Sequence, residues 1–497
     1  MCLFLIDSAG YNQARGSMQK KSLAARAYEL NIFSSLEKKN SSSFLAVYGR
    51  RRVGKTYLIH EYFSSKESYF EFTGTNNTLP KVQIKNYMKQ LNKYFNCSID
   101  SDSKKWPKTW PDALDILREM IEKKSKKNRK TYLFFDELPW IASKKSGFAE
   151  ALDYFWNSYL SKRKDIVLIV CGSSANWMIT KIVNSKGSFH NRLTQSPIVI
   201  KPFTLKETEE YFNFRGINLN KEQICEIYMV TGGVAYYLNQ YEKGDSSAQF
   251  INKSFFGIHG SLRTEFDNLF QSLFDKYETH VAIVRLLAHH PFGLNQIEIQ
   301  KKMKIKSGGT FTKTLNELEQ SGFIKLSQQL NSKKKSGFYR LIDEYTLFYL
   351  NWVHPLGISF KDILYWQKQV GKPKYNTWLG TAFESICIKH SEEIKKSLGI
   401  SGLTTNIFTF RNNKAQIDLI IDRSDKTINL CEIKYTVNSY KMTETEASKL
   451  KNRKLELLNN LKKKKQIIVT LIALAPANRN NHYLSTIDNE LNLENLF

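Results

Sequence analysis

The chain has 497 residues, 74 Lys and Arg against 47 Asp and Glu, and a formal net charge of +27. Its length exceeds what one hydrophobic core fills and points to about three domains. The charge points to a polyanionic partner, nucleic acid ahead of an anionic membrane surface, although a coding bias toward Lys and Asn would equally load solvated faces with charge.

Cys2, Cys97, Cys171, Cys225, Cys387 and Cys431 show neither a Cys-x-x-Cys nor a histidine at ligand spacing. That excludes a zinc-finger or disulfide framework and fits a reducing, cytoplasmic setting. The apolar residues 2–6 are too short for a signal segment, and no run approaches the ~18 apolar residues of a membrane span, so no membrane partner is expected. Residues 1–23 read as an N-terminal extension, with Met18 as an alternative start.

Helical periodicity over residues 24–39 leads into an apolar strand over 44–48, which ends in Gly49-x-x-x-x-Gly54-Lys55-Thr56 before helical spacing resumes. Strand, loop and helix in that order are the setting of a Walker A loop. Gly49 and Gly54 let the backbone turn its N–H groups toward phosphates, with Arg50, Arg51, Arg52 and Val53 between them and Tyr57 just beyond, and the helix beginning near Lys55 adds its positive dipole end. Lys55 is expected to reach the β- and γ-phosphates of ATP, and Thr56 to ligate Mg²⁺. The competing reading is a glycine turn between any strand and helix.

A second strand is expected over residues 68–72 and helices over 80–95 and 111–123, the latter closed by a basic run. Residues 131–135 form an apolar strand ending in Asp136-Glu137, about 80 residues after the loop. This is a Walker B pattern, in which Asp136 holds Mg²⁺ and Glu137 polarises the attacking water. A further strand over 166–170 ends in Cys171-Gly-Ser173-Ser174-Ala-Asn176. Ser173, Ser174 or Asn176 could report on the γ-phosphate there, or the segment is a strand-to-helix turn with a serine cap. Arg192 is a candidate for an arginine that stabilises transferred charge, in cis or from a neighbouring subunit of a homo-oligomer, with a structural role as the alternative.

Tyr48-Gly-Arg-Arg-Arg-Val-Gly-Lys-Thr56, Phe135-Asp-Glu-Leu-Pro-Trp140, Cys171-Gly-Ser-Ser-Ala175, Pro202-Phe-Thr-Leu205 and Thr231-Gly-Gly-Val-Ala-Tyr-Tyr-Leu238 together resemble the prokaryotic P-loop ATPases of the AAA+/STAND type, best known from archaea. The resemblance implies that the glycine pair at 232–233 closes a helical lid on the nucleotide. Ala235 stands where that family has proline.

Period and glycine breaks independently make residues 204–243 a small helical subdomain. From residue 279, three short helices precede two strands, 323–326 and 338–341, around a tip bearing Lys333, Lys334 and Lys335. That is a winged-helix pattern, with residues 310–316 facing a major groove, or a protein-docking module of the same shape.

A new unit begins near Trp378. It offers Glu384 on a helix, Asp418 on one strand, and Glu432 and Lys434 on the next, where alternation puts the last two on one face. The carboxylates could share Mg²⁺ or Mn²⁺ while the ammonium orients or deprotonates water, although a cross-strand ion pair gives the same pattern. The set resembles the PD-(D/E)xK fold of restriction-endonuclease-like nucleases, and the C-terminal domains of the ATPase family above match it at these residues.

The expected fold class is α/β: a P-loop NTPase with a parallel sheet (24–200) and helical lid (201–275), then a winged helix and linker helix (276–355), then a nuclease-like α/β domain (356–497). The expected function is ATP hydrolysis coupled to DNA binding, DNA ahead of RNA, and to metal-dependent DNA cleavage. The alternative is a nucleotide-switched regulator of DNA or protein binding with a silent nuclease fold, and a third reading is a signalling ATPase triggered by a protein ligand.

Overall fold

Strands buried on both faces need continuous apolar runs, and residues 43–48, 131–136 and 166–172 supply three of them. The computed structural model describes residues 23–97, 99, 106–124, 129–184, 189–274, 276–305, 308–330, 337–357, 359–360, 362–436 and 438–497. The N-terminal extension, Met18 and the Lys333 to Lys335 tip lie outside the described residues. The chain divides into two compact units, Gly54–Gly172 and Met178–Ile200 with the segment up to Tyr48 in one, and Gly49–Val53, Ser173–Trp177 and Lys201–Phe497 in the other.

In the first unit the order is α1 (Ala27–Lys38), β1 (Ser43–Tyr48), α2 (Lys55–Phe63), β2 (Tyr69–Thr73), α3 (Pro80–Phe95), α4 (Trp110–Lys124), β3 (Thr131–Asp136), α5 (Leu138–Ile141), α6 (Phe148–Ser158), β4 (Ile166–Gly172), α7 (Ala175–Met178, which crosses the unit boundary) and β5 (Ile198–Val199). The strands form one parallel sheet in the order β2-β3-β4-β1-β5. Thus β4 lies between the strand that feeds the glycine loop and the strand that ends in the acidic pair, paired with β1 from Ser43↔Val167 to Tyr48↔Gly172 and with β3 from Thr131↔Ile166 to Phe135↔Val170. Every residue of β3 and β4 is buried. Helices α3 and α4 cover the sheet with stripes at helical spacing, Ile84, Tyr87, Met88, Leu91 and Phe95 on one and Trp110, Ala113, Leu114, Leu117 and Ile121 on the other.

The second unit opens with α8 (Leu205–Phe214), α9 (Lys221–Thr231), α10 (Ala235–Leu238), α11 (Ser247–Ile251) and α12 (Glu265–Leu273). Capping boxes at Thr204/Glu207, Asn220/Gln223 and Ser246/Gln249 start α8, α9 and α11. The break after α9 uses Gly232 and Gly233 at positive φ, and the Gly233 carbonyl accepts the Phe203 N–H at 2.8 Å. Next come α13 (Tyr277–Ala288), α14 (Gln296–Met303), α15 (Gly309–Gln320) and a hairpin of β6 (Ile324–Gln328) and β7 (Gly337–Leu341), with Leu294 bridged to Tyr339 beside β7. A short α16 (Glu344–Phe348) continues as a π-helical turn over Tyr349–Val353.

The C-terminal part runs α17 (Pro373–Lys389), α18 (Ser391–Ser397), β8 (Thr405–Arg411), β9 (Gln416–Arg423), β10 (Thr427–Lys434), α19 (Glu444–Asn459), β11 (Gln466–Ala473), α20 (Asn481–Leu484) and β12 (Asn489–Leu491). Its sheet is mixed, in the order β12-β11-β10-β9-β8: β8, β9 and β10 are antiparallel neighbours, whereas β11 and β12 run parallel to β10. Ile420, Ile428, Leu430, Val469 and Leu471 centre its core, on which Ala447, Leu450 and Leu457 of α19 pack. Among the described residues no helix is long and apolar enough to cross a membrane.

Candidate functional site

The loop after β1 turns through Gly49 (φ 153°), Arg52 (φ 74°) and Gly54 (φ 90°), and Gly54 is the left-handed N-cap of α2. Lys55 and Val53 are buried, Arg51 is half-buried, and Thr56 and Tyr57 are exposed. The Thr56 hydroxyl donates to Asp136 Oδ2 at 2.8 Å, and the Glu137 N–H donates to Asp136 Oδ1 at 2.9 Å. Asp136 is 3% exposed. Burial, then the charge of Glu137, raises its carboxyl above the usual range, against the Thr56 hydroxyl, the Glu137 N–H and Lys55.

A hydroxyl at the start of α2 in contact with a carboxylate at the end of β3 supplies oxygen donors of the kind that Mg²⁺ takes with a nucleotide. The residues present therefore fit Mg²⁺-ATP. Glu137 itself adopts φ 47°, ψ 49° as N-cap of the four-residue α5, a conformation that strains a non-glycine residue. Gly74 makes room beside it: a Cβ there would lie 2.9 Å from the Glu137 carbonyl, and the Gly74 N–H donates to the Asp136 carbonyl at 2.9 Å. At the end of β4 the buried Cys171 has its thiol pushed well up by burial and next by the Asp136 charge. Arg192 is about one-third exposed and pairs with Asp153 at 3.4 Å.

In the second unit Ser173 is buried. The buried Arg50 guanidinium forms a two-armed ion pair with Asp343, with Nη2 3.0 Å from Oδ2, and lies 4.7 Å from the Phe323 ring centroid. Burial is the largest single influence and works against this charge, but Asp343, Tyr237 and Glu344 together outweigh it and raise the pKa. Arg52 is held at 2.9 and 3.0 Å by Glu265 and stacks 4.1 Å above Tyr236. Both side chains are thus committed to carboxylates. Sequence periodicity carries no signal for these pairs, because the partners lie 293 and 213 residues away.

Behind Asp343, Glu344 is fully buried; burial raises its carboxyl and Lys389 opposes that shift. Lys389 Nζ reaches Glu344 at 2.9 Å and the Gly232 carbonyl at 3.2 Å, which ties the end of α17 to the glycine break after α9.

The same helix carries Glu384, whose carboxyl is pushed up to about 7 by burial first and then by Asp418 and Glu432, against Arg340 and Lys434. The structure therefore gathers Glu384, Asp418, Glu432 and Lys434 at one end of the C-terminal sheet, but the acids already have cationic partners. Arg340 Nη1 lies 3.3 Å from Asp418, Arg453 Nη1 2.5 Å from Glu432, and Lys434 Nζ 3.2 Å from Glu432 and 3.6 Å from Glu446. Among the described residues no group of three or more His, Cys, Asp and Glu is arranged to hold a metal ion. Arg340 and Arg453 are the residues that sequence reading missed. Arg340 sits in a strand assigned to a different domain, and Arg453 lies on α19, whose weak apolar periodicity hid the helix itself.

Residues 23–241 match the family model described as an ATPase domain predominantly from Archaea. The uncharacterized protein MJECL04 of Methanocaldococcus jannaschii is 23% identical over 415 residues, 82% of this chain and 87% of that protein. Among solved structures, the Walker-type ATPase PABY2304 of Pyrococcus abyssi is 14% identical over 65% of this chain and 95% of that one, at a TM-score of 0.48. Cdc6p from Pyrobaculum aerophilum is 12% identical over 69% and 96% of the two chains, at a TM-score of 0.32. Drosophila ORC bound to DNA is 13% identical over 71% and 95%, at a TM-score of 0.30. A parallel five-stranded sheet, the loop through Lys55 and Thr56, the Asp136 carboxylate that Thr56 touches, and the family match are the features of an ATPase domain of the P-loop type over residues 23–241.

Proposed function

We propose that the chain hydrolyses ATP at Lys55, Thr56, Asp136 and Glu137 and uses its nucleotide state to control engagement of DNA. The observation that carries the first half is the 2.8 Å hydrogen bond from Thr56 to Asp136. Mg²⁺, when bound with ATP, neutralises charge on the phosphates. The loop N–H groups and Lys55 hold the phosphates, and Glu137 takes a proton from the water whose oxygen attacks the γ-phosphorus as the bond to the β–γ bridging oxygen breaks. Arg192 and Ser173 are the candidates for sensing that event.

The domain boundaries proposed above go with this reading: an ATPase core to residue 200, a lid to 275, a winged helix and linker to 355, and a nuclease-like domain to the end. Two features support nucleic acid as partner: the +27 charge, and the exposure of Thr310, Thr312, Lys313 and Asn316 on α15 and of Lys301, Lys302 and Lys304 at the end of α14. The helix, three antiparallel strands, helix and parallel strand that carry Glu384, Asp418, Glu432 and Lys434 support a second site, for phosphodiester cleavage. The pairing of Asp418 and Glu432 with arginines favours a second reading, a nucleotide-switched regulator whose C-terminal fold binds without cutting.

The test is ATP turnover and plasmid nicking, with Mg²⁺ or Mn²⁺, by the wild type, Lys55→Ala and Glu432→Ala. ATP turnover lost in Lys55→Ala and nicking lost in Glu432→Ala are expected. Turnover that survives in Lys55→Ala sinks the loop assignment, and DNA that is bound but never nicked by the wild type selects the regulator.

A further inference from the structure

Arg52, between Gly49 and Gly54, holds φ 74° in the left-handed region. Glycine takes that conformation freely, whereas arginine brings its Cβ against the following carbonyl and keeps the shape only where its surroundings over-determine it. Here the residue is gripped at both ends by segments of its own compact unit. Its carbonyl accepts the Tyr236 N–H at 3.1 Å, a first-turn donor of α10 that has no acceptor within the helix. Its guanidinium meets both carboxylate oxygens of Glu265, Nε to Oε1 at 2.9 Å and Nη2 to Oε2 at 3.0 Å, and lies 4.1 Å above the Tyr236 ring. The Glu265 side chain, in the first turn of α12, is 4% exposed. Arg50 is paired as firmly with Asp343 but does not share the left-handed backbone. Only at Arg52, among the described loop residues, do a costly backbone shape and a two-armed ion pair coincide.

We propose that Glu265 is a positioning residue for nucleotide binding: through the Arg52 guanidinium, with Tyr236 gripping the carbonyl, it braces the left-handed turn that aims the loop's N–H groups at phosphate. The inference rests on the reading of residues 49–56 as the nucleotide loop. A braced loop meets the nucleotide already in its bound shape. Released, it relaxes toward the right-handed region, and the apparent affinity falls with the fraction of molecules that keep the competent turn. Saturating ATP restores the turn, so the brace weighs on KM and leaves kcat alone.

The test is the affinity of the full-length protein for ADP with Mg²⁺, by isothermal titration calorimetry, beside steady-state ATP turnover. Glu265→Ala is expected to weaken ADP about tenfold and to raise KM by a similar factor at constant kcat. That variant also strands the Arg52 charge, so two pairs without an unmatched charge separate backbone from electrostatics. Arg52→Gly with Glu265→Ala, in which glycine takes the turn unaided, is expected to recover most of the lost affinity. Arg52→Met with Glu265→Leu, in which the turn stays costly and unbraced, is expected to remain about tenfold weak. Equal affinity in the two pairs, wild-type affinity in Glu265→Ala, or a fall in kcat at constant KM overturns the brace. With ADP binding still abolished in Lys55→Ala, each of those results leaves the nucleotide loop standing. A wild type that shows no ADP binding sensitive to Lys55→Ala overturns the loop assignment itself, and the brace with it.

Discussion

Arg50, the first residue after the leading glycine of the nucleotide loop, is locked by a two-armed ion pair to Asp343, which also caps α16 by accepting the Thr346 N–H at 3.1 Å. The two side chains are 5% and 1% exposed. Removing one partner strands a buried charge, so Asp343→Ala is expected to lower stability by about 3–5 kcal/mol. Arg50→Met combined with Asp343→Leu is expected to recover much of that loss. Urea midpoints for the wild type, the single variants and the pair check it.

Glu137 combines a left-handed backbone with the proposed role of water-polarising base. Glu137→Gln is expected to keep nucleotide binding and to lose turnover by roughly 10²- to 10⁴-fold. Glu137→Gly is expected to be equally inactive yet about 1 kcal/mol more stable, since glycine removes the left-handed penalty. Steady-state turnover beside thermal unfolding distinguishes them, and a Glu137→Gly protein no more stable than the wild type would count against strain at φ 47°.

His390 accepts the Leu205 N–H at Nε2 (2.9 Å) and donates from Nδ1 to the Ile386 carbonyl (2.9 Å), a pairing open only to the neutral ring. Burial, first of all, lowers its pKa from 6.5 to about 4. The unfolded chain then takes up a proton before the folded one does as the pH falls, so the contribution is intact above pH 6.5 and is lost toward pH 4. The expected loss across that window is up to about 3 kcal/mol. Denaturation midpoints from pH 7 to pH 4 should show the slope in the wild type and its flattening in His390→Gln.

Two glycines at similar φ separate backbone strain from collision. A Cβ on Gly233 (φ 72°) would lie 2.1 Å from the Phe203 carbonyl, whereas one on Gly216 (φ 68°) meets nothing within 4 Å. Gly233→Ala is expected to cost about 2–4 kcal/mol and Gly216→Ala about 1 kcal/mol. Equal losses in the two variants would remove the packing argument for the glycine break after α9.

The nucleotide half of the molecule was legible because its signals are local. Continuous apolar runs become β1, β3 and β4, each ending at the residue the motif requires, and the helices expected over 80–95 and 111–123 stand at Pro80–Phe95 and Trp110–Lys124. What escaped has physical reasons. β5 is two residues long and exists by pairing with β1, and β12 is three residues long beside β11. Helix α19 buries only Ala447, Leu450 and Leu457 along 16 residues, too sparse a stripe to stand out among its lysines. Glu384 reads as the beginning of a helix but lies well inside α17. The partners of Arg50, Arg52 and Asp418 come from segments far along the chain, where no spacing rule reaches.

The place of β4 in the first sheet bears on how the ATPase site tolerates change. The glycine loop and the acidic pair hang from strands that never touch each other, and β4 is hydrogen-bonded to both. A slip of two residues in either ladder would carry Thr56 about 7 Å past Asp136, and a slip of one would turn the carboxylate to the opposite face. The gauge of the proposed magnesium site is therefore ruled in backbone hydrogen bonds, and an insertion or bulge in β4, a strand that supplies none of the proposed ligands, is the change that would mis-set it.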